Sequence, residues 1–205
     1  MDTSGKDGTI RSVLTGINPQ GCQVTAFKTP SSDENAHDFL WRIHQRTPAR
    51  GMIGVFNRSH YEDVCITRVH KWISKDEVER RYKAIRHFEK HLTDSGTEVV
   101  KLFLHISKAE QAKRLQARAD DPEKRWKFSV GDIDERKYWK AYRGAYEDAI
   151  SATSSEHAPW YVVPADHKWY RNWVVASVLS HTLERMKLKT PRPDAGIDFK
   201  KIKLV

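Results

Sequence analysis

The stretch SGKDGT at residues 4–9 stands directly before an apolar-periodic run that covers residues 10–17. A Gly-Lys pair at the start of a helix brings free backbone N–H groups, the positive end of the helix dipole and one ammonium group to a single point. This arrangement binds a chain of phosphates, so the stretch predicts the downstream half of a phosphate-binding loop. The usual loop has Ser or Thr after the lysine, whereas Asp7 follows Lys6 here. A carboxylate at that position can hold a metal ion or polarise an acceptor oxygen.

Apolar segments with strand and helix character alternate along the rest of the chain. We predict strands over residues 22–27, 52–56, 99–106 and 160–163, and helices over residues 7–16, 33–45, 75–92, 108–119, 132–152 and 169–189. This alternation predicts an α/β fold with a parallel sheet and right-handed crossovers. The strand over 52–56 is apolar enough to be buried on both faces. Because a phosphate loop normally follows a strand, we expect a fifth, central strand upstream of Met1, whose absence would leave two inner strand edges open.

Length and composition predict one globular domain without a membrane span. The 205 residues are 39% hydrophobic, and no apolar run approaches the ~20 residues that cross a bilayer. With no signal stretch either, we expect a cytoplasmic protein in which Cys22 and Cys65 are free, buried thiols. The 36 Lys and Arg residues exceed the 27 Asp and Glu residues, for a net charge of +9. Such a surplus favours a polyanionic partner, although on charge alone a solvated surface of mixed sign is the better explanation.

A second candidate site, FNRSHYEDV at residues 56–64, follows the predicted strand over 52–56. Ligands bind at the carboxyl ends of the strands in open parallel sheets, and a cation beside acids suits a phosphate with a bridging metal ion. The alternative is purely structural: Asn57 and Ser59 would cap the next helix, and Arg58 would pair locally with Glu62.

A third candidate site is the basic segment that begins at residue 108. It contains seven cations, namely Lys108, Lys113, Arg114, Arg118, Lys124, Arg125 and Lys127. A basic flap over a phosphate site excludes water and neutralises charge during transfer. The alternative is a solvated helix face with i,i+4 pairs such as Glu110 with Arg114. We expect the tryptophans, Trp126, Trp169 and Trp173 among them, to pack in the core rather than to stack on a nucleobase.

Four runs of sequence together resemble a known family. The runs at residues 5–10, 56–64, 124–128 and 158–172 are similar to those of the polyphosphate kinase type 2 family, and the resemblance extends from Asp2 nearly to the C-terminus. It implies a single domain over residues 1–205 with a P-loop kinase-like, three-layer α/β fold, a parallel sheet whose first strand is missing from this chain, and a helical lid over about residues 108–131. It also implies phosphoryl transfer between inorganic polyphosphate and nucleotides with Mg²⁺.

The resemblance also implies roles for individual residues. Catalytic roles fall to Asp2, Lys6, Asp7, Arg58 and Glu62; substrate binding falls to Gly5, Gly8, Thr9, Asn57, Arg118, Lys124 and Arg125; and metal binding falls to Asp2 and Glu62. Asn57 stands where other relatives place Asp, and this version resembles the subgroup that accepts both AMP and ADP.

The implied partners are inorganic polyphosphate and adenine nucleotides, with neither nucleic acid nor membrane, and the implied assembly is a dimer or tetramer. Because polyphosphate has no base or sugar, a string of cations is its natural binding surface. Three alternatives stay open. They are a nucleoside-monophosphate kinase that uses ATP, a nucleic-acid-binding module that exploits the +9 charge, and an inactive, truncated remnant.

Overall fold

The structure is a computed structural model that describes residues 3–191, 193, 197 and 201–202. Four strands lie in these residues: β1 (Cys22–Ala26), β2 (Ile53–Asn57), β3 (Lys101–His105) and β4 (Trp160–Pro164). The α-helices are α1 (Lys6–Val13), α2 (Ser32–Ala36), α3 (Trp41–His44), α4 (Glu62–Val69), α5 (Lys75–Asp94), α6 (Lys108–Asp120), α7 (Val130–Glu135), α8 (Trp139–Thr153) and α9 (Lys168–Arg185). The predicted alternation of strands and helices is therefore confirmed.

The strands form two parallel pairs. β1 pairs with β2, with Cys22 opposite Ile53, and β3 pairs with β4, with Lys101 opposite Trp160. Within the described residues the two pairs do not join into one sheet, so each of the four strands has one edge without a strand partner. The expected central strand upstream of Met1 stays a prediction. The expectation that β2 is buried on both faces is wrong, because its residues are only partly buried and Gly54 is exposed.

The helices form two groups around these strands. α1 packs on α9, and these helices contact β2 and β4 respectively. α4, α5 and α8 pack on one another and supply most of the hydrophobic core. Its most completely buried side chains are Ile43, Val64, Cys65, Ile85 and Ala149.

Two helices that the sequence predicts as continuous are interrupted. The helix predicted over 33–45 consists of α2 and α3, because His37 adopts an extended conformation and the Asp38 carboxylate accepts the Leu40 N–H (3.0 Å). The helix predicted over 132–152 begins earlier, at Val130 after the Ser129 cap, and a 3-10 turn separates α7 from α8. α4 has no predicted counterpart.

Both cysteines are free, as expected, but only Cys65 is buried, while Cys22 is partly exposed on β1. Among the described helices, none combines the length and the apolar character that crossing a membrane requires.

A buried polar network links the helices to the strands. The Lys101 ammonium group on β3 donates to the Glu89 carboxylate (2.6 Å), to the Thr153 carbonyl (2.8 Å) and to the Tyr61 hydroxyl (3.2 Å). The Tyr61 hydroxyl also contacts Glu89 (2.8 Å), and the Trp160 indole N–H donates to the Thr153 hydroxyl (3.0 Å). Glu89 and Lys101 are 1% and 7% exposed. Since all three ammonium hydrogens have acceptors, the pair tolerates a burial that would otherwise be costly.

We predict that Lys101→Met lowers the free energy of unfolding by about 3–5 kcal/mol, because it leaves the buried Glu89 charge without its cation. Adding Glu89→Gln removes that charge and should restore part of the loss. Urea denaturation measures both effects. The control is Lys90→Met, which breaks an exposed pair with Asp94 and should cost roughly 0.2–1 kcal/mol. Additive losses for the two substitutions at the buried pair would contradict the prediction.

Candidate active site

The predicted phosphate loop lies at the start of α1. Gly5 is the N-cap residue in a left-handed conformation (φ 98°), and the first intrahelical hydrogen bond runs from the Thr9 N–H to the Gly5 carbonyl (2.9 Å). Within the described part of the chain, the N–H groups of Lys6, Asp7 and Gly8 therefore have no backbone acceptor. Unpaired N–H groups at the positive end of a helix form an anion site. The Thr9 hydroxyl also donates to the Gly5 carbonyl (3.0 Å), so this buried residue stabilises the loop.

The structure brings the phosphate loop and the second candidate site together. The Asn57 side-chain amide, at the carboxyl end of β2, donates to the Asp7 carboxylate (2.7 Å), although 50 residues separate them. The structural alternative proposed that Asn57 caps the next helix, but the Asn57 side chain does not cap α4. The contact places residues 5–9 beside the end of β2, where an open parallel sheet binds ligands.

Two cations beside this contact have no partner in the part of the protein that the structure describes. Lys6 and Arg58 make neither an ion pair nor a side-chain hydrogen bond with any residue that the structure describes. The local pair of Arg58 with Glu62 is therefore not formed. Arg58 is exposed and has a positive φ of 65°, which is a strained conformation for a residue with a side chain. Both cations are thus available to an anionic ligand.

Glu62 makes a contact within the fold. Its carboxylate accepts a hydrogen bond from the Tyr146 hydroxyl on α8 (3.1 Å). Burial, and secondly the Glu62 charge, raise the pKa of Tyr146 well above its usual value. The structure therefore ties Glu62 to α8. Asp2 lies outside the described residues.

The predicted lid residues lie on and after α6 and mostly contact one another. Arg118 donates to the Lys127 carbonyl (3.0 Å) and pairs with Asp132 (3.5 Å). Arg125 donates to the Ala119 carbonyl (2.9 Å), and Lys124 pairs with Asp121. The expectation that tryptophans pack in the core is wrong for Trp126, Trp169 and Trp173, which are 78%, 71% and 60% exposed.

Comparison with known proteins agrees with this geometry. The profile of the family described as polyphosphate kinase 2 matches residues 1–191. The chain belongs to the polyphosphate kinase 2 family. A crystal structure of polyphosphate kinase 2 from Arthrobacter aurescens TC1 superposes with a TM-score of 0.95 at 52% identity, covering 98% of this chain and 71% of that one. The expected P-loop kinase-like fold is thereby confirmed, and the chain is a phosphotransferase.

Two relatives with described activities are similar over nearly all of this chain. The AMP/ADP-polyphosphate phosphotransferase of Meiothermus ruber is 52% identical over 196 residues, which are 96% of this chain and 73% of the relative. The ADP-polyphosphate phosphotransferase of Rhodopseudomonas palustris is 53% identical over an alignment of 203 positions, which covers 93% of this chain and 70% of the relative.

In this family member, side chains outside the set of site residues that the resemblance implies also lie around the loop. Arg114 on α6 pairs with Glu110 (2.9 Å), as the structural alternative for the basic segment proposed, but it also reaches the main chain of residues 3–4. Arg171 on α9 donates to the Ser4 carbonyl (3.1 Å). Asp166, after β4, accepts the Ser107 N–H at the start of α6 (2.8 Å). Their positions in the sequence could have indicated them, because they follow the carboxyl ends of strands. Ser107 follows β3, and Asp166 and Arg171 follow β4 within the run 158–172.

We predict that Asp166 contributes stability that disappears in acid. The Ser107 N–H, followed by the Ser107 hydroxyl and Arg114, holds the pKa of Asp166 below its ordinary value of 3.8. Because the folded state depresses this pKa, the contribution is complete above pH 3.8 and is lost as the pH falls through the lower native pKa. Asp166→Asn should therefore be less stable than the unchanged protein at neutral pH, with a difference that shrinks below pH 3.8.

Urea denaturation between pH 7 and pH 2 measures this difference. The control is Asp33→Asn, at an exposed aspartate in the first turn of α2. A difference between Asp166→Asn and the unchanged protein that stays constant over this range would contradict the prediction.

Proposed function

We propose that this protein transfers a phosphoryl group between inorganic polyphosphate and an adenine nucleotide. The observation that carries the proposal is the contact between Asp7 and Asn57, which joins the phosphate loop to the end of β2. Beside it, Lys6 and Arg58 have no partner among the residues that the structure describes. Phosphoryl transfer asks a protein for positioning and charge neutralisation rather than for covalent chemistry. The names of the relatives from M. ruber and R. palustris support the same reaction.

Each group at the site has a distinct task in this proposal. The N–H groups of Lys6, Asp7 and Gly8 and the Lys6 ammonium group bind the phosphate that is transferred. The Arg58 guanidinium approaches from the end of β2 and steadies the neighbouring phosphates, for which its planar fork is suited. The Asp7 carboxylate, oriented by Asn57, faces the acceptor or a metal ion.

The residues present fit a magnesium ion that is held mainly by substrate. Among the described residues there is no group of three or more His, Cys, Asp or Glu side chains that could form a metal cage. Mg²⁺ at phosphoryl-transfer sites usually binds one or two carboxylates together with substrate phosphates and water. Asp2 and Glu62 are the proposed ligands, and Asp7 would supply a further carboxylate; the Glu62 carboxylate also accepts the hydrogen bond from Tyr146. Mg²⁺, when bound, neutralises the charge that develops on the phosphate oxygens.

Both AMP and ADP are proposed as acceptors. Asn57 supports this proposal by its resemblance to the subgroup that uses both nucleotides, and the M. ruber relative carries AMP/ADP in its name. The cations Arg118, Lys124 and Arg125 are proposed to bind the remainder of the polyphosphate chain as parts of a lid over about residues 108–131. The proposed assembly is a dimer or tetramer, and the proposed location is the cytoplasm.

We predict that Lys6→Met lowers kcat/KM for transfer from polyphosphate to AMP or ADP by roughly 100- to 1000-fold, because it removes a preorganised charge at the reacting phosphate. The control is Lys189→Met. Lys189 is an exposed lysine beyond the far end of α9, and that helix begins near the loop and is roughly 27 Å long.

Formation of ADP or ATP is followed with polyphosphate and, in parallel, with ATP as the donor to AMP. Transfer from ATP alone would instead identify a nucleoside-monophosphate kinase. Undiminished turnover of polyphosphate by Lys6→Met would overturn the proposed site.

We further predict that chelation of divalent cations abolishes transfer and that added Mg²⁺ restores it, because a divalent cation at such sites neutralises the charge that develops on the phosphate oxygens. Transfer rates are measured after dialysis against a chelator and then during titration with MgCl₂. Full activity in the chelator would contradict the assignment of a metal ion to Asp2 and Glu62, with Asp7 beside them. Circular dichroism of the chelated protein shows whether the fold persists.

A further inference from the structure

Arg171 is a buried cation directly behind the phosphate loop. It is 3% exposed, and its Nη1 donates to the Ser4 carbonyl (3.1 Å). Its Nε and Nη2 both donate to the Asn172 side-chain oxygen (3.1 and 2.9 Å), which fixes the plane of the guanidinium group. The group lies in the space that Gly5 leaves open, since a Cβ atom at Gly5 would come within 1.9 Å of Nη1. Gly5 is therefore required both for its positive φ and for this close approach.

Arg114 holds the same segment from a second side. Its Nη1 donates to the carbonyls of Thr3 and Ser4 (3.1 and 3.3 Å), and its Nη2 donates to the carbonyls of Ala165 and Asp166 (both 2.7 Å). Two guanidinium groups, one from α6 and one from α9, thus share the Ser4 carbonyl. Both arginines donate hydrogen bonds to main-chain carbonyls of residues 3–4. These bonds hold the segment that leads into the phosphate loop in one conformation before any ligand binds.

The two arginines differ in how their charge is balanced. The charge of Arg114 faces the Glu110 carboxylate, whereas no carboxylate in the described part of the chain lies within 4.0 Å of Arg171. Burial, and secondly the charge of Arg114, lower the pKa of Arg171. An isolated buried cation is costly unless an opposite charge compensates it. A phosphate ligand bound at the neighbouring loop would bring a negative charge that compensates the Arg171 cation.

We propose that Arg171 is a positioning residue for the phosphate chain: it fixes the Ser4 carbonyl against Gly5, and its charge, which no carboxylate of the described residues balances, strengthens the attraction of the loop for a bound polyphosphate. This inference rests on the proposed function for the identity of the anion. Arg171 acts indirectly, because it positions the loop and its positive charge attracts the phosphate chain. Lys6 and the loop N–H groups contact the phosphate itself.

The test compares Arg171→Gln, which removes the charge, with Arg171→Lys, which keeps the charge but loses the planar fork. We expect Arg171→Gln to lower kcat/KM for polyphosphate by roughly 10- to 100-fold, the range found for residues that orient the ligands of metal sites. Arg171→Lys should lose less, because it retains the cation, and the KM for polyphosphate should rise more than the KM for the nucleotide. The control is Arg86→Gln, which also removes an arginine bond to a main-chain carbonyl, that of Ala152 (2.7 Å). Ala152 precedes Thr153 at the end of α8, and the Thr153 carbonyl contacts Lys101 at the amino end of β3, away from the phosphate loop.

A second measurement separates positioning from a purely structural role. Tripolyphosphate without nucleotide should raise the Tm of the unchanged protein and of Arg86→Gln, and this rise should be lost in Arg171→Gln and partly kept in Arg171→Lys. Arg171→Gln could have a lower Tm without ligand, yet show the full increase of Tm with tripolyphosphate and an unchanged kcat/KM. Arg171 would then be structural only, and the inference would be wrong.

The same measurement separates the inference from the proposed function. If the unchanged protein transfers no phosphate but is stabilised by tripolyphosphate through Arg171, the inference stands and the proposed function fails. If transfer occurs and both Arg171 variants match the unchanged protein, the inference alone fails. A protein that tripolyphosphate does not stabilise at all overturns the inference.

A double-mutant cycle tests the close approach between Gly5 and Arg171. Gly5→Ala should destabilise the protein through its positive φ and through collision with the guanidinium group. In an Arg171→Ala background only the first cost remains, so the loss from Gly5→Ala should be smaller. Equal losses in the two backgrounds would overturn the packing on which the inference depends.

Discussion

The buried pair of Lys101 with Glu89 is the interaction on which the arrangement of the helices and strands depends. Removing two charges from water is costly, and the cost is offset only while every ammonium hydrogen and the carboxylate have partners. Those partners come from the start of α4, from α5, from β3 and from the end of α8. A shift of any one of these elements would expose an unpaired charge, so the helical group can take only one position against the strands.

A second buried cation, Arg171, follows the carboxyl end of β4, whereas Lys101 lies at the amino end of β3. The two cations have different partners. Lys101 has a carboxylate within 2.6 Å, whereas Arg171 has carbonyl and amide oxygens as its partners in the described residues. The first arrangement holds the framework together and the second leaves positive charge near the phosphate loop. The protein thus combines a neutralised interior with a binding site that is rich in cations, which is what a polyanionic substrate requires.

Much of the fold and of the loop could be predicted from local patterns. Gly5, Lys6 and the helix after them carry a signal in sequence order, and so does the position of Asn57 and Arg58 at the end of an apolar strand. The roles of Arg114 and Arg171 could not be predicted in this way, because their acceptors are main-chain carbonyls up to 167 residues away. The break between α2 and α3 was missed for a related reason, since the bond from Leu40 to Asp38 competes with a continuous helix.

The sequence by itself determined the class of the protein, because helix and strand periodicity and the Gly-Lys pair depend on neighbouring residues and survive in linear order. It also determined the family, through runs that cover most of the chain. Only the tertiary structure decided which side chains share a site: Asp7 with Asn57, Glu62 with Tyr146, and Arg171 with Ser4. The reason is physical, since hydrogen bonds and ion pairs act over a few ångströms in space and are indifferent to separation along the chain.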